Sequence, residues 1–304
     1  MPFLKFLEAH RTPFGDAFFS GITHLGEELF FIAVGLLIYW CVNKRTGFYL
    51  LLVNYTGTIV NQFLKMLVTM PRPFELDPTF AIVESARAQA LGFSFPSGHT
   101  QNVIGVCGAI AAYHKSRLLR AVCAAAAVLV PFSRLYLGVH TPLDVLTSAG
   151  IALLLLVVFY RPAALAMEND RLMNALLVGM LVLGAALTLF GALHRFPADA
   201  NPTYVQEGVR TTWTLLGGAV GFALGVFLER RFVRFEVRAV WWAQILKLLL
   251  GLAVLLGIRA GLKLLLAPIG HPVSNALRYC CMLVFAAYVW PMTFSFFSGL
   301  GKKA

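Results

Sequence analysis

Charge is scarce in this sequence. Only 13% of its 304 residues are Asp, Glu, Lys or Arg, against about 25% in soluble domains, and that excludes an ordinary water-soluble globule. Acidic residues are the scarcer, 14 against 25 Lys plus Arg, for a formal net charge of +11. Such an excess would suit nucleic acid, but the cations are scattered through short loops between apolar runs. They follow the positive-inside rule and line no basic groove, so nucleic acid is not an expected partner. Cysteine is also rare. Cys41, Cys107, Cys123, Cys280 and Cys281 stand in apolar stretches without CxxC or metal-ligand spacing, which argues against a disulfide framework and against a metal site. The first 24 residues lack the unbroken apolar stretch of a signal peptide, because Lys5, Glu8, His10, Arg11 and Asp16 interrupt Phe3, Leu4, Phe6, Leu7, Phe14, Phe18 and Phe19. They read as an amphipathic helix lying in the membrane interface or as a helix packed on the bundle. There is no internal repeat and no low-complexity tract.

What the chain has in abundance is apolar length. Hydrophobic residues make up 59% of it, and the mean hydropathy is +0.76. Given about 20 residues to cross the hydrocarbon, runs near 26–42, 47–69, 98–114, 118–137, 143–160, 172–193, 210–228, 240–262 and 273–297 predict an all-α, polytopic membrane bundle of about nine helices. The loops alternate in charge. Lys44 and Arg45, Lys115 to Arg120, Arg161 and Arg171, Arg230 to Arg238, and Lys302 with Lys303 fall on one side, which the positive-inside rule makes cytoplasmic. The N-terminus is then outside, the C-terminus inside, and Lys65, Arg72, Arg87, Arg134, Arg195 and Arg210 belong to the outer set. A bacterial cytoplasmic membrane is the expected location.

Three polar pieces interrupt the hydropathy on that outer side. Pro96-Ser97-Gly98-His99 opens an apolar run; the proline keeps the preceding chain out of a helix and Ser97 is a natural N-cap. His99 then sits in the first turn, where free N–H groups and the helix dipole attract an anion. Gly98 has no side chain to keep a phosphate from its N–H. Ser133-Arg134, followed after five residues by His140 and after three more by Asp144, brings a guanidinium, an imidazole and a carboxylate to another helix entrance. Lys65, followed after six residues by Arg72-Pro73, supplies two more cations. Each piece has a plainer reading: Asp144 closing a capping box with Thr141, Pro71 and Pro73 ending a span while Lys65 and Arg72 snorkel, His99 merely structural.

Taken together, Lys65-x6-Arg72-Pro73, Pro96-Ser97-Gly98-His99 and Ser133-Arg134-x5-His140-x3-Asp144 resemble the three-part signature of the type-2 phosphatidic acid phosphatase superfamily in residue type, order and spacing. The resemblance implies a six-helix phosphatase core and a metal-independent phosphatase, without cofactor, that works through a phosphohistidine. It implies His140 as nucleophile with Asp144 holding its second nitrogen, and His99 as the acid that protonates the leaving alcohol and then activates water. Lys65, Arg72 and Arg134 would clamp the phosphoryl oxygens, with Ser97 and Gly98 as further donors. On this reading residues 1–25 are an N-terminal interfacial segment, 26–170 the core and 171–304 a transmembrane extension.

An outward-facing site at the membrane surface points to a lipid phosphate or diphosphate: polyprenyl diphosphate, phosphatidate, phosphatidylglycerophosphate or a sphingoid phosphate. The alternatives are a sugar-phosphate phosphatase of glucose-6-phosphatase type, a lipid phosphotransferase, or an inactive lipid-binding or transport protein on the same scaffold. Arg259, Lys263 and Arg278 are candidates for holding a second phosphate or simple interfacial anchors. His10, His24, His114, His194 and His271 read as interfacial residues, and Glu27 and Glu28 as either functional or as acids at a helix start. Residues 74–95 are either a lid or a connecting loop, and 193–209 form a second polar outer loop. Oligomeric state is not legible.

Overall fold

The computed structural model describes residues 1–270 and 272–301, so His271, Lys302 and Lys303 lie outside the described residues. Among those described there is no strand. A chain this apolar must satisfy its backbone within each segment, and helices do so. In order these are α1 (Pro2–Ala9), α2 (Pro13–Ile22), α3 (Glu28–Leu37), α4 (Lys44–Val68), α5 (Pro73–Leu76), α6 (Gly98–Tyr113), α7 (Arg117–Tyr136), α8 (Pro142–Ala166), α9 (Asp170–Leu193), α10 (Pro202–Leu228), α11 (Trp241–Leu265), α12 (Val273–Val284) and α13 (Phe294–Gly299).

The architecture is the expected all-α membrane bundle, but the expected count of nine spans is not reached. Among the described residues six helices are long and apolar enough to cross a membrane, and the bent pair Pro13–Gly26 and Glu28–Val42 would make a seventh. The shortfall is in α4 and α6. The first carries Lys44, Arg45, Asn54, Asn61 and Lys65 along its length; the second has 16 residues and begins Gly-His-Thr-Gln-Asn. Both helices form where spans were expected, and of their polar residues Lys65 and His99 belong to the candidate site.

The chain folds as two compact units that interleave along the sequence: residues 1–32, 50–160 and 194–208, and residues 33–49, 161–193 and 209–304. In the first unit the N-terminal helices pack rather than float. Leu4 and Leu7 are buried, while Phe3, Phe6, Phe14 and Phe18 stay exposed. Lys5 pairs with Asp77 at 2.7 Å, and Phe19 rests on Tyr136, ring centroids 4.5 Å apart. Residues 74–95 are likewise packed. Phe80, Ala86, Ala90 and Phe93 are buried, and Ala86 and Ala90 share a core with Tyr136, Leu137 and Val139. This segment packs against the core of the first unit.

In the second unit α10 lies on α12 through a glycine stripe. A Cβ on Gly217, Gly221 or Gly225 would overlap Ala276, Cys280 or Ala287 in turn, the close backbone approach that small residues permit in membranes. Glu229 is fully buried and takes Lys44 Nζ at 2.7 Å and the Phe235 N–H at 2.8 Å. One cation of the set expected to be cytoplasmic is therefore spent on internal structure. All five cysteines are free.

Candidate active site

The site belongs wholly to the first unit, and its local geometry follows from helix starts. Ser97 caps α6 as expected: its Oγ accepts from the Thr100 hydroxyl at 3.0 Å and the Thr100 N–H at 3.4 Å. Gly98 has open space beside it, since a Cβ there would meet no atom within 4 Å. The Ser97 N–H donates to the Asp144 carbonyl at 3.1 Å, tying the second motif to the third. Gly138 turns the chain between Arg134 and His140 with φ +82°, a conformation that favours glycine.

Asp144 plays both parts that the sequence left open. It closes a reciprocal capping box, Oδ2 accepting the Thr141 N–H at 2.7 Å while its own N–H donates to Thr141 Oγ1 at 3.3 Å. The same Oδ2 lies 3.3 Å from His140 Nδ1. This pairing leaves His140 Nε2 as the nitrogen turned away from the carboxylate. His140 is 2% exposed. Burial is the main cause that pushes its proton affinity well below the ordinary imidazole range; the Asp144 hydrogen bond opposes it, and the charges of Arg72, Arg134 and Lys65 reinforce it. A neutral imidazole results at neutral pH, the form in which nitrogen has a lone pair to offer.

His99, at the first turn of α6, lies within electrostatic reach of Arg134, His140, Arg72 and Lys65. Its buried Nε2 has no partner among the described residues. Arg134 is fully buried, and one nitrogen, Nη1, donates to Thr23 Oγ1 at 2.7 Å. Its Nε and Nη2 have no partner among the described residues. Buried donors are rarely left unmade, so these three groups mark where a polar ligand belongs.

The other two cations are used differently. Lys65 Nζ donates to the Phe93 carbonyl at 2.6 Å. Arg72 spends three of its five donors on backbone carbonyls: Gly92 at 2.9 Å, Val139 at 2.9 Å and Leu91 at 3.1 Å. Glu75 caps its backbone N–H at 2.7 Å, and burial lowers the Arg72 guanidinium to about 10. Arg72 is thus as much a tie between two loops as a clamp. A recess of about 270 Å³ adjoins this corner, lined by Thr69, Glu75, Phe93, Asp199, Asn201 and Tyr204. Arg259, Lys263 and Arg278 belong to the second unit, on α11 and α12. Arg278 holds Asn275 Oδ1 at 2.9 Å.

Three residues that sequence reasoning passed over also shape the site. Ser94 is fully buried and donates to Asp144 Oδ2 at 2.6 Å. Thr23 receives Arg134. Arg11 binds the backbone entering the third motif, Nε to the Tyr136 carbonyl at 2.9 Å and Nη1 to the Ala81 carbonyl at 2.7 Å. A serine two residues before Pro96 was the available signal for Ser94; Thr23 and Arg11 carry no sequence signal.

Comparison with known proteins identifies the family. Residues 46–167 match the family described as PAP2 superfamily, and residues 213–303 match the PAP2 superfamily phosphatase, transmembrane extension. The chain is 33% identical over 159 residues to phosphatidylglycerophosphatase B of Bacillus subtilis (strain 168), covering 48% of this chain and 73% of that protein. It is 26% identical over 246 residues to a probable sphingosine-1-phosphate phosphatase of Dictyostelium discoideum, covering 75% of this chain but only 57% of that protein. Among solved structures, Aquifex aeolicus LpxE aligns with a TM-score of 0.46 at 23% identity, covering 52% of this chain and 92% of that one.

Proposed function

The chain belongs to the PAP2 superfamily and is a membrane lipid phosphatase, and we propose that it hydrolyses its substrate through a phosphohistidine at His140, without a metal ion, on the extracytoplasmic face. The observation that carries this reading is a buried His140, paired with Asp144, within electrostatic reach of Arg134 and of His99, both of which have buried nitrogens without a partner among the described residues. His140 Nε2 forms the N–P bond as the P–O bond to the lipid alcohol breaks, and His99 gives the departing oxygen its proton. A water then returns a proton to His99, its oxygen attacks phosphorus, and the N–P bond breaks to release inorganic phosphate. Arg134 and Lys65 stabilise the charge that gathers on the phosphoryl oxygens.

The recess beside Arg72 presents Glu75 and Asp199. That sign disfavours a second phosphate and suits a hydroxyl or ammonium group, so a monoester is the preferred substrate. A panel of phosphatidate, phosphatidylglycerophosphate, sphingoid phosphate, polyprenyl diphosphate and a sugar phosphate, assayed in detergent with EDTA, tests this directly. Vanadate-sensitive phosphate release, fastest from a monoester lipid, is the expected result. Loss of activity in EDTA, or release from the sugar phosphate alone, would overturn it. If a second phosphate is held by Arg259 and Lys263, the double change to alanine raises KM for the diphosphate far more than for the monoesters.

The outward orientation rests on the cations at 44–45, 115–120 and 230–238. In a background without the five native cysteines, cysteine at the exposed positions Leu91 or Asp199 reacts with an impermeant thiol reagent on intact cells. Cysteine at Arg117 or Glu236, also exposed, reacts only after permeabilisation. The reverse pattern would place the site on the cytoplasmic face.

A further inference from the structure

The first 45 residues lie upstream of the segment that matches the PAP2 superfamily, residues 46–167, and none of the motif residues comes from them. The structure nevertheless sets the short turn Thr23–Gly26 against two of the three motifs. At its end, a Cβ on Gly26 would crowd the Cβ and carbonyl of His99 to within 2.9 Å, so only glycine lets α6 approach this closely. The Gly26 carbonyl accepts from Asn102 Nδ2 at 3.0 Å, which fixes the turn to α6. At the turn's beginning, Thr23 is 2% exposed and its hydroxyl oxygen accepts Arg134 Nη1 at 2.7 Å.

The side on which Arg134 is held decides what the rest of it can do. A guanidinium is a planar fork, and its Nε–H lies on the same edge as an Nη2–H. That edge is one of the two that can grip an oxyanion with two parallel hydrogen bonds, the other being Nη1 with Nη2. In Arg134 it is this edge, Nε with Nη2, that is buried and without a partner, while the opposite nitrogen is occupied.

We propose that Thr23 is a positioning residue for Arg134: its hydroxyl anchors Nη1 so that the Nε–Nη2 edge faces the phosphoryl group. The anchor occupies the end-on edge and leaves the side-on pair, Nε with Nη2, for the phosphoryl oxygens. This inference rests on the phosphatase reading and extends the site beyond the family segment, into the turn before the first long apolar run.

The test is Thr23→Val, which keeps shape and removes the acceptor, with Thr23→Ser as the conservative partner. A lost hydrogen bond to a charged group costs on the order of tenfold or more. T23V is therefore expected to lower kcat/KM about tenfold and to weaken vanadate binding, read by thermal shift, by the same factor. T23S restores both. In an Arg134→Ala background T23V costs nothing further, because the residue through which it acts is gone. An additive loss in that background, an unchanged vanadate affinity in T23V, or equal losses in T23V and T23S would overturn the proposal. Vanadate binding reads the Thr23–Arg134 pairing even where no lipid is turned over, so failure of the lipid-phosphatase reading is told apart from failure of this one.

Discussion

His140→Ala is expected to abolish turnover and with it the proposed covalent intermediate. Removing the nucleophile of a group that acts as a unit costs on the order of 10⁴–10⁶ in kcat, because the remaining donors have no N–P bond to stabilise. Base-quenched wild-type enzyme given labelled lipid phosphate should carry one base-stable, acid-labile phosphoryl group, and H140A should carry none. His99→Ala should still form the intermediate from a substrate with a good leaving group, where less proton donation is needed, and then accumulate it. The pH dependence follows from the direction in which burial and the surrounding cations move His140. Its folded-state proton affinity is depressed, so the reactive neutral form persists as pH falls through 6.5. The acid limb of kcat/KM lies below that value and not at it. Near-normal turnover in H140A would sink the mechanism.

Arg134→Ala is expected to lower kcat/KM by roughly 10²–10³, the scale of losing one preorganised oxyanion donor in a water-excluded site. Arg134→Lys should recover little of it, since an ammonium cannot present two parallel donors. The informative readout is stability measured beside activity. The guanidinium is fully buried, with one hydrogen bond made and two nitrogens without partners. Much of its desolvation is thus uncompensated in the free protein, and alanine relieves that cost while leaving a cavity. Tm should stay near the wild-type value while activity falls. If Tm collapses in step with activity, Arg134 is a structural strut; if kcat/KM stays within tenfold, the clamp lies elsewhere.

These expectations draw on two kinds of information. Whatever is set by neighbours along the chain was legible in the residues. Apolar runs of spanning length became α7 to α12 because lipid leaves the backbone no partner but its own helix. Ser97 became an N-cap, and Thr141 with Asp144 a capping box, because those bonds close over three residues. Lys65, His99, Arg134, His140 and Asp144 could be named because their types and spacings resemble a family signature, and the fold brought them within electrostatic reach of one another.

Tertiary structure alone decided how each of them is used. Thr23 meets Arg134 across 111 positions of sequence, Arg11 meets Tyr136 across 125, and Ser94 meets Asp144 across 50. No periodicity encodes such pairs, since a hydroxyl or guanidinium reads the same in sequence whichever carbonyl or carboxylate it finds. Arg72, expected as a phosphate clamp, gives three donors to backbone carbonyls for the same reason. The span count fell short of nine because α4 and α6 carry polar residues whose burial against other helices, and not their own hydropathy, makes them tolerable inside the bundle. The sequence by itself determined which segments are helical and which side chains are candidates for the chemistry, because helix formation, capping, hydrophobic length and motif spacing are local. The fold determined which nitrogen of His140 faces Asp144 and which edge of Arg134 is open, because a buried polar group's orientation is set by whatever partner packing delivers to it.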